Sequence, residues 1–209
     1  MVILNNTLIL IFQIDGSVFC KFERQIFFNF SNCSIVYHLK NIYIRVYFYF
    51  NILFLFFIYI QDEVCKFWLK QKISVRKLIL GVPTFARTFN LAYPFGQGFN
   101  SPSVGPGLGK GQLNYTKVCE FLSDGGISEF DEKGMVPFAH RNYDWISYEN
   151  ERSLSIKSRY AASRKMGGVM TYALNYDDWT GTCRDSKSFP LLRAVSSTLK
   201  LAQMSTFKN

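Results

Sequence analysis

The sequence has few of the residues that build metal centres and phosphate sites. It contains two histidines, His38 and His140, which are isolated, so no set with the spacing of metal ligands is formed. Alternate residues from Gly105 to Gly111 are glycine, but no predicted strand precedes them and no Lys-Ser/Thr pair follows. The run therefore predicts a loop. No nucleophile–base pair is recognisable either, and we expect neither a metal nor a cofactor.

Proline and alanine are absent from residues 1–61, which contain a single glycine and are crowded with Phe, Ile, Tyr and Asn. Val46 to Ile60 is almost wholly apolar and is broken only by Asn51. Extension back to Ile42 gives about 19 residues, enough to cross a bilayer, but includes Arg45, a charge that counts against insertion. Met1 to Gln13 has no basic region and no small-residue cleavage site, so it makes a poor signal peptide.

Three interpretations of residues 1–61 stay open. The segment is a membrane anchor, a buried part of a fold, or translated non-coding sequence joined to a real exon. Its residue bias is what AT-rich codons encode, and it has no clean helical or strand period. We therefore favour the third interpretation and expect the segment to be irregular.

The sequence also has no excess of acidic residues. It contains 24 Lys and Arg and 15 Asp and Glu, which gives a net charge of +9. The basic residues are scattered. One modest cluster, Lys157, Arg159, Arg164 and Lys165, has the spacing of a solvated helix face. Basic patches that bind nucleic acid are more concentrated, so we expect no nucleic-acid partner.

After residue 61 the pattern becomes that of an α/β protein. Asp62 and Glu63 precede apolar residues at helical spacing, which predicts an amphipathic helix with acids at its positive end. Leu78 to Phe85 and Gly167 to Trp179 are short apolar runs bounded by turn signals, which predict strands buried on both faces. Such strands usually belong to a parallel sheet covered by helices.

Glycine- and proline-rich loops separate these two strands and indicate a small α+β insertion over about residues 88–148. A helix from Ser153, capped by Ser153 or Asn150 and ended by Gly167, should follow it. The remaining predicted elements are one or two helical turns at Tyr115–Leu122, a pair of short strands at Met135–Ala139 and Asp144–Tyr148, and a last helix from Phe189 to about Leu201.

Several of these segments together resemble glycoside hydrolase family 18, the chitinases. Lys77 to Ala92, KLILGVPTFARTFNLA, is similar to the family's seventh barrel strand, and Gly167 to Trp179 is similar to its eighth. Val136-Pro137, Trp145 and Tyr148 fall where its insertion domain carries V-P-Y and W-V-G-[YF]-[DE] motifs. The resemblance runs from about Asp62 to about Lys200. It implies an incomplete (β/α)8 TIM barrel, of which residues 62–209 supply the last two strands and helices with a small α+β insertion domain.

The resemblance implies hydrolysis of β-1,4-linked N-acetylglucosamine polymers by substrate-assisted chemistry, in which a glutamic acid protonates the glycosidic oxygen. That acid belongs to a D-x-x-D-x-D-x-E motif on the fourth strand, which this sequence lacks. Asp177 and Asp178 cannot stand in, because adjacent strand residues point to opposite faces; we expect Asp178 to bond loop backbone. We assign no catalytic residue and expect the chain to be inactive alone.

Three positions correspond to substrate-binding residues of the family. Tyr172 replaces the Trp under the sugar at the cleavage subsite, Phe85 replaces a Tyr, and Arg87 matches an Arg. Lys117 replaces a Glu that meets sugar hydroxyls in many members. These changes keep a second function open, a non-catalytic chitin-binding, lectin-like protein. A membrane-anchored protein is a weaker alternative. Expected partners are chitin or N-acetylglucosamine oligosaccharides.

The resemblance also implies a disulfide between Cys119 and Cys183, which match two family cysteines. Cys20, Cys33 and Cys65 have no family partner. The full family member is expected to be extracellular, although this chain has no clear signal peptide. If the chain is exported, Asn114-Tyr115-Thr116 is a possible glycosylation site.

Overall fold

The computed structural model describes residues 9–13, 19–22, 36–39, 42–45, 60–70, 73–183 and 187–206. The helices are α1 (Ile60–Lys70), α2 (Tyr115–Ser123), α3 (Glu151–Ser163) and α4 (Pro190–Thr206). The strands are β1 (Ile9–Gln13), β2 (Phe19–Phe22), β3 (Val36–Leu39), β4 (Ile42–Arg45), β5 (Leu78–Pro83), β6 (Ala86–Leu91), β7 (Ser103–Pro106), β8 (Gln112–Leu113), β9 (Ile127–Asp131), β10 (Val136–Arg141), β11 (Asp144–Ser147) and β12 (Gly168–Tyr172).

Strands β5 and β12 lie side by side and run parallel, as the two apolar runs predict. Gly168 pairs with Ile79 and Tyr172 with Pro83. Strand β5 is buried as expected, but the prediction of full burial is wrong for β12, whose residues are half-buried up to the exposed Tyr172. The sheet order β12-β5-β1-β2 leaves β12 at an edge. Within the described ranges, β12 therefore has a neighbouring strand on one side only.

The N-terminal segment contains four short strands, so the expectation that it is irregular is wrong for those residues. Strand β1 pairs antiparallel with the second edge of β5, with Ile11 opposite Leu80, and β3 pairs with β4. An open strand edge presents unpaired N–H and C=O groups that favour such an addition. Consecutive apolar residues in this segment obscure the strand period, which is why the pattern did not predict it.

The apolar run proposed as an anchor, Val46 to Ile60, lies outside the described residues except at Ile60, where α1 begins. None of the helices in the described ranges combines the length and the apolar composition that a membrane crossing requires.

Helices α1, α3 and α4 cover the β5–β12 sheet. Its core joins Leu80 and Val82 of β5 to one residue or more from each helix, namely Cys65, Leu154, Ala161, Leu191 and Val195. The predicted acids at the start of α1 help to place it. The Asp62 carboxylate accepts hydrogen bonds from the Tyr160 hydroxyl (2.7 Å) and the Arg164 guanidinium (2.9 Å) of the α3 region, and pairs with Lys66.

A second sheet occupies residues 86–147, with the order β7-β6-β11-β10-β9 and β8 paired to β6. The predicted antiparallel pair is present as β10 and β11, with Arg141 opposite Asp144. Helix α2 packs on this sheet through Val118 and Phe121. Strands β6 to β9 were not predicted because glycine, proline and polar residues interrupt any alternation in that stretch.

Helix α3 starts at Glu151, and Asn150 is its cap. The Asn150 side chain accepts from Ser153 N (2.9 Å) while Ser153 Oγ accepts from Asn150 N (2.9 Å), so both candidates take part. The helix ends at Ser163, before the predicted stop at Gly167. Gly167 instead allows the backbone to pack closely beside β5, because a Cβ at this position would come within 2.3 Å of the Arg76 carbonyl oxygen.

Candidate functional site at the carboxyl ends of β5 and β12

A pair of hydrogen bonds joins β5 to β12 where both strands end. Thr84 N donates to the Tyr172 carbonyl (3.0 Å), and Thr84 Oγ1 donates to the Ala173 carbonyl (2.6 Å). The Tyr172–Ala173 peptide bond is cis. Thr84 is buried, so the donor side of both bonds is shielded from water. This arrangement, which we call the Thr84 clamp, holds the two carbonyl groups that follow the Tyr172 side chain along the main chain.

Tyr172 is the most open of the predicted sugar-binding residues. Its side chain closes β12 and is 42% exposed, although the rest of the strand is half-buried. Leu174 and Trp179, which follow in the same loop, are also exposed. Ligands of α/β folds bind outside the carboxyl ends of parallel strands, and an exposed aromatic ring there is available for stacking.

Phe85 is buried and is 6% exposed. It packs against Met170, and its ring meets the Tyr176 ring edge-on at a centroid distance of 5.7 Å. The Arg87 guanidinium lies 5.0 Å from the Phe85 ring centroid, within cation–π range. The structure therefore brings Phe85 and Arg87 into contact, and connects them to Tyr172 through the backbone at the ends of β5 and β12.

Asp177 lies beyond the strand, after a short 3-10 turn at Leu174–Tyr176. Its carboxylate accepts from Leu191 N (3.3 Å) and Leu192 N (3.0 Å), the first turn of α4, and from Asp178 N (2.8 Å). The side chain thus caps α4 from a distant loop. Burial raises the pKa of Asp177, although these hydrogen bonds oppose the shift.

Asp178 holds the loop that follows β12, in agreement with the structural role expected for it. Its Oδ1 accepts from Thr116, Thr180 and Thr182 hydroxyls and from Gly181 N, and its Oδ2 accepts from Cys183 N (2.7 Å). Burial disfavours the charged form, but the hydrogen bonds from Thr180 and Cys183 dominate and lower the pKa of Asp178 to about 2. The argument that both aspartates belong to the strand is therefore wrong, because the strand ends at Tyr172.

Cys119 of α2 and Cys183 form a disulfide with a Cα–Cα distance of 5.6 Å. Asp178 reinforces this link, since it bonds Cys183 N on one side and Thr116 of α2 on the other. The loop after β12 is thereby tied to the helix of the second sheet. Cys65 is a buried free cysteine.

Lys117 is turned toward its own helix. Its ammonium pairs with the Glu120 carboxylate at 2.6 Å, and both side chains are exposed. The positive charge that replaces the family's glutamate is thus partly compensated by a neighbour on α2.

The structure contains a buried ion pair that the sequence pattern did not predict. Glu149 and Lys157 are 3% and 5% exposed and bond to each other, and Ser153 Oγ donates to the second Glu149 oxygen (2.6 Å). The available signal was the acidic last position of the W-V-G-[YF]-[DE] pattern, which Glu149 occupies, with a lysine two helical turns later. This triad anchors the start of α3.

The described residues contain no group of three or more His, Cys, Asp or Glu side chains that could hold a metal ion. Their aspartates at the end of β12 are committed to backbone and hydroxyl donors, as above. The arrangement therefore presents an exposed aromatic ring at Tyr172, followed in the same loop by two aspartates that already accept hydrogen bonds.

Comparison with known proteins points to one family. Residues 48–177 match the family model described as glycosyl hydrolases family 18. Chitotriosidase-1 of Mus musculus is 32% identical over 146 residues, which cover 67% of this chain and 31% of that protein. The crystal structure of the Ostrinia furnacalis group IV chitinase superposes with a TM-score of 0.64 at 32% identity, over 66% of this chain and 39% of that chain.

A third relative is human YKL-39, described as a pseudo-chitinase with retained chitooligosaccharide binding properties. It superposes with a TM-score of 0.63 at 26% identity, over 66% of this chain and 39% of that chain. This chain spans about a third of the length of the mouse relative. With the family model covering more than half of the chain and a mixed α/β fold shared with solved chitinases, the chain belongs to glycosyl hydrolase family 18.

Proposed function

We propose that this chain is the C-terminal part of a family 18 chitinase that hydrolyses β-1,4-linked N-acetylglucosamine polymers. In this proposal β5 and β12 are the last two strands of a (β/α)8 barrel, and the sheet of residues 86–147 is its insertion domain. The observation that carries it is Tyr172, an exposed aromatic ring at the carboxyl end of β12, beside the end of the parallel β5. Barrel enzymes build their sites at that face.

The residues of this chain would bind and orient the sugar. The Tyr172 ring supports the apolar face of a pyranose and excludes water from it. Arg87, held over Phe85, supplies a fixed positive charge near the same edge. The glutamic acid that protonates the glycosidic oxygen, and the aspartates that orient the substrate's N-acetyl group, belong to a motif that this sequence lacks. The chain alone is therefore a binding element without its proton donor.

The platform can be tested by retention on chitin. We expect Tyr172→Ala to reduce retention of the chain, while Tyr143→Ala leaves it unchanged. Tyr143 is a matched control because it is 51% exposed and lies in the β10–β11 turn. Equal retention of wild type and Tyr172→Ala would refute the platform. Release of sugar from chitin oligomers by the purified chain would refute the proposal that the catalytic glutamic acid lies outside this sequence.

A non-catalytic, lectin-like protein is the second candidate function. Lys117 supports it, since a lysine paired with Glu120 replaces an acidic residue expected to meet sugar hydroxyls. The similarity to a protein described as a pseudo-chitinase supports it too. Reading the genomic sequence upstream separates the two candidates. A complete D-x-x-D-x-D-x-E motif predicts hydrolysis by the complete protein, and a motif without its final glutamate predicts binding only.

Extracellular location and membrane anchoring remain predictions. The Cys119–Cys183 disulfide supports export, because such bonds persist in oxidising compartments. A membrane anchor at Val46 to Ile60 is the weakest alternative. A fusion protein carrying residues 40–62 that stays in solution without detergent would argue against it.

A further inference from the structure

We propose that Asn114 is an acceptor for an N-linked glycan, and that closure of the Cys119–Cys183 loop limits its modification. Asn114-Tyr115-Thr116 is the N-x-[ST] acceptor sequence. In the structure this tripeptide forms the start of α2 and contacts the loop that the disulfide closes. Both of its reactive side chains, Asn114 and Thr116, are therefore assigned specific partners in the folded chain.

The fold tolerates a glycan at Asn114. The side chain caps α2 through Oδ1, which accepts from Lys117 N at 2.9 Å. Glycan addition takes place at the other amide atom, Nδ2, for which the described residues supply no hydrogen-bond partner. Asn114 is only half-buried, at the junction of β8 and α2. A modified Asn114 can thus keep its capping bond and carry the sugar outward.

The reaction joins the Nδ2 atom to the anomeric carbon of an oligosaccharide carried on a lipid diphosphate. The bond between that carbon and the diphosphate breaks, the lipid diphosphate leaves, and the amide loses one proton. The co-reactant is the lipid-linked oligosaccharide of the secretory pathway. The inference therefore requires export of the chain but does not require chitin binding or hydrolysis.

In the folded loop, the hydroxyl group of Thr116, the third residue of the acceptor sequence, is already hydrogen-bonded. Thr116 Oγ1 donates to Asp178 Oδ1 at 3.1 Å, so its hydroxyl is occupied. Cys183 N donates to the other Asp178 oxygen, and Cys183 is bonded to Cys119 one helical turn after Thr116. Closing the disulfide therefore brings Asp178 onto Thr116 and holds the acceptor sequence in the start of a helix. A transferase must act on the tripeptide before that closure.

The test is expression of the 209-residue chain behind a cleavable secretion signal, with the glycosylated fraction measured by the mass lost on enzymatic deglycosylation. We expect partial occupancy in the wild type and none in Asn114→Asp, which keeps a capping oxygen and removes the acceptor amide. We expect a larger glycosylated fraction in Cys183→Ser. Absence of glycan from both the wild type and Cys183→Ser would overturn the acceptor assignment.

Two comparisons isolate the role of the loop. Cys65→Ser removes a cysteine outside the disulfide, and Leu91→Ala weakens the core cluster of Leu91, Phe138 and Trp145, which contains no residue of the acceptor tripeptide. We expect both to leave occupancy near that of the wild type. If Leu91→Ala raises occupancy as much as Cys183→Ser does, general unfolding and not loop closure controls the reaction. Complete occupancy of the wild type would also overturn the limit set by closure.

Discussion

At the scale of single residues, Asp177 and Asp178 are adjacent, but their carboxylates serve different elements. Asp177 caps α4, and Asp178 gathers the loop that the disulfide closes. Neither carboxylate is available as a catalytic group, because each already accepts several hydrogen bonds. Of the predicted sugar-binding residues, Tyr172 is the one whose side chain is exposed at this end of the sheet.

Asp178→Asn should destabilise the protein by about 3 kcal/mol, because it weakens several charge-assisted hydrogen bonds of a buried carboxylate. The measurement is the free energy of unfolding by denaturant. Asp124→Asn, at an exposed position, is the control and should change stability by less than about 0.5 kcal/mol. Similar effects of the two substitutions would show that the hydrogen bonds of Asp178 contribute little.

Asp178 should also make the folded state sensitive to acid. Its folded-state pKa of about 2 lies below the ordinary 3.8, so its contribution is present above the ordinary value and is lost as pH falls toward 2. The shift corresponds to about 2 kcal/mol. Asp177, whose pKa is raised, acts in the opposite direction. Unfolding followed from pH 5 to pH 2 should show a steeper loss of stability for the wild type than for Asp178→Asn; parallel curves would contradict this.

At the scale of elements, α3 depends on a buried pair. Glu149→Gln leaves the Lys157 ammonium buried without its counter-charge and should cost about 3 kcal/mol or more of unfolding free energy. Glu120→Gln, which breaks the exposed pair with Lys117, should cost less than about 1 kcal/mol. Chemical unfolding of the two variants gives the comparison, and equal costs would mean that water reaches the buried pair.

The elements that could be predicted from the sequence are those with a clear local pattern of apolar residues. The β5–β12 pair and α1 follow from short apolar runs and from acids placed before a helical stripe. The half-burial of β12 could not be predicted, because it depends on which strands lie beside it. Strands β6 to β9 have residues such as Asn90 and Gly105 in their ladders, where pairing and not side-chain pattern defines the strand.

The residues of the candidate site could be predicted from the sequence, but their geometry could not. Family motifs pointed to Tyr172, Phe85 and Arg87, but only the structure shows that Phe85 is covered while Tyr172 is open. The cap that Asp177 provides to α4 joins residues 14 positions apart and has no local signal. Long-range partners of this kind are set by tertiary packing.

At the scale of the whole molecule, the disulfide connects the two sheets through α2 and the loop after β12. In the chain-entropy model, closing a loop across a sequence separation of 64 contributes about 4 kcal/mol. Cys119→Ser/Cys183→Ser should therefore lower the midpoint of thermal unfolding markedly, and the reduced wild type should unfold near the double variant. Cys65→Ser is the control for loss of a thiol, and an unchanged midpoint in the double variant would mean that packing alone holds the sheets together.

The Thr84 clamp has a consequence for the energetics of recognition. Main-chain and hydroxyl bonds hold the carbonyl groups of Tyr172 and Ala173, so the backbone that follows the Tyr172 ring is held in place before any ligand binds. If a saccharide stacks on Tyr172, as proposed, it would order few backbone torsions at the end of β12, and we expect the main chain to contribute only a small entropic penalty to its association.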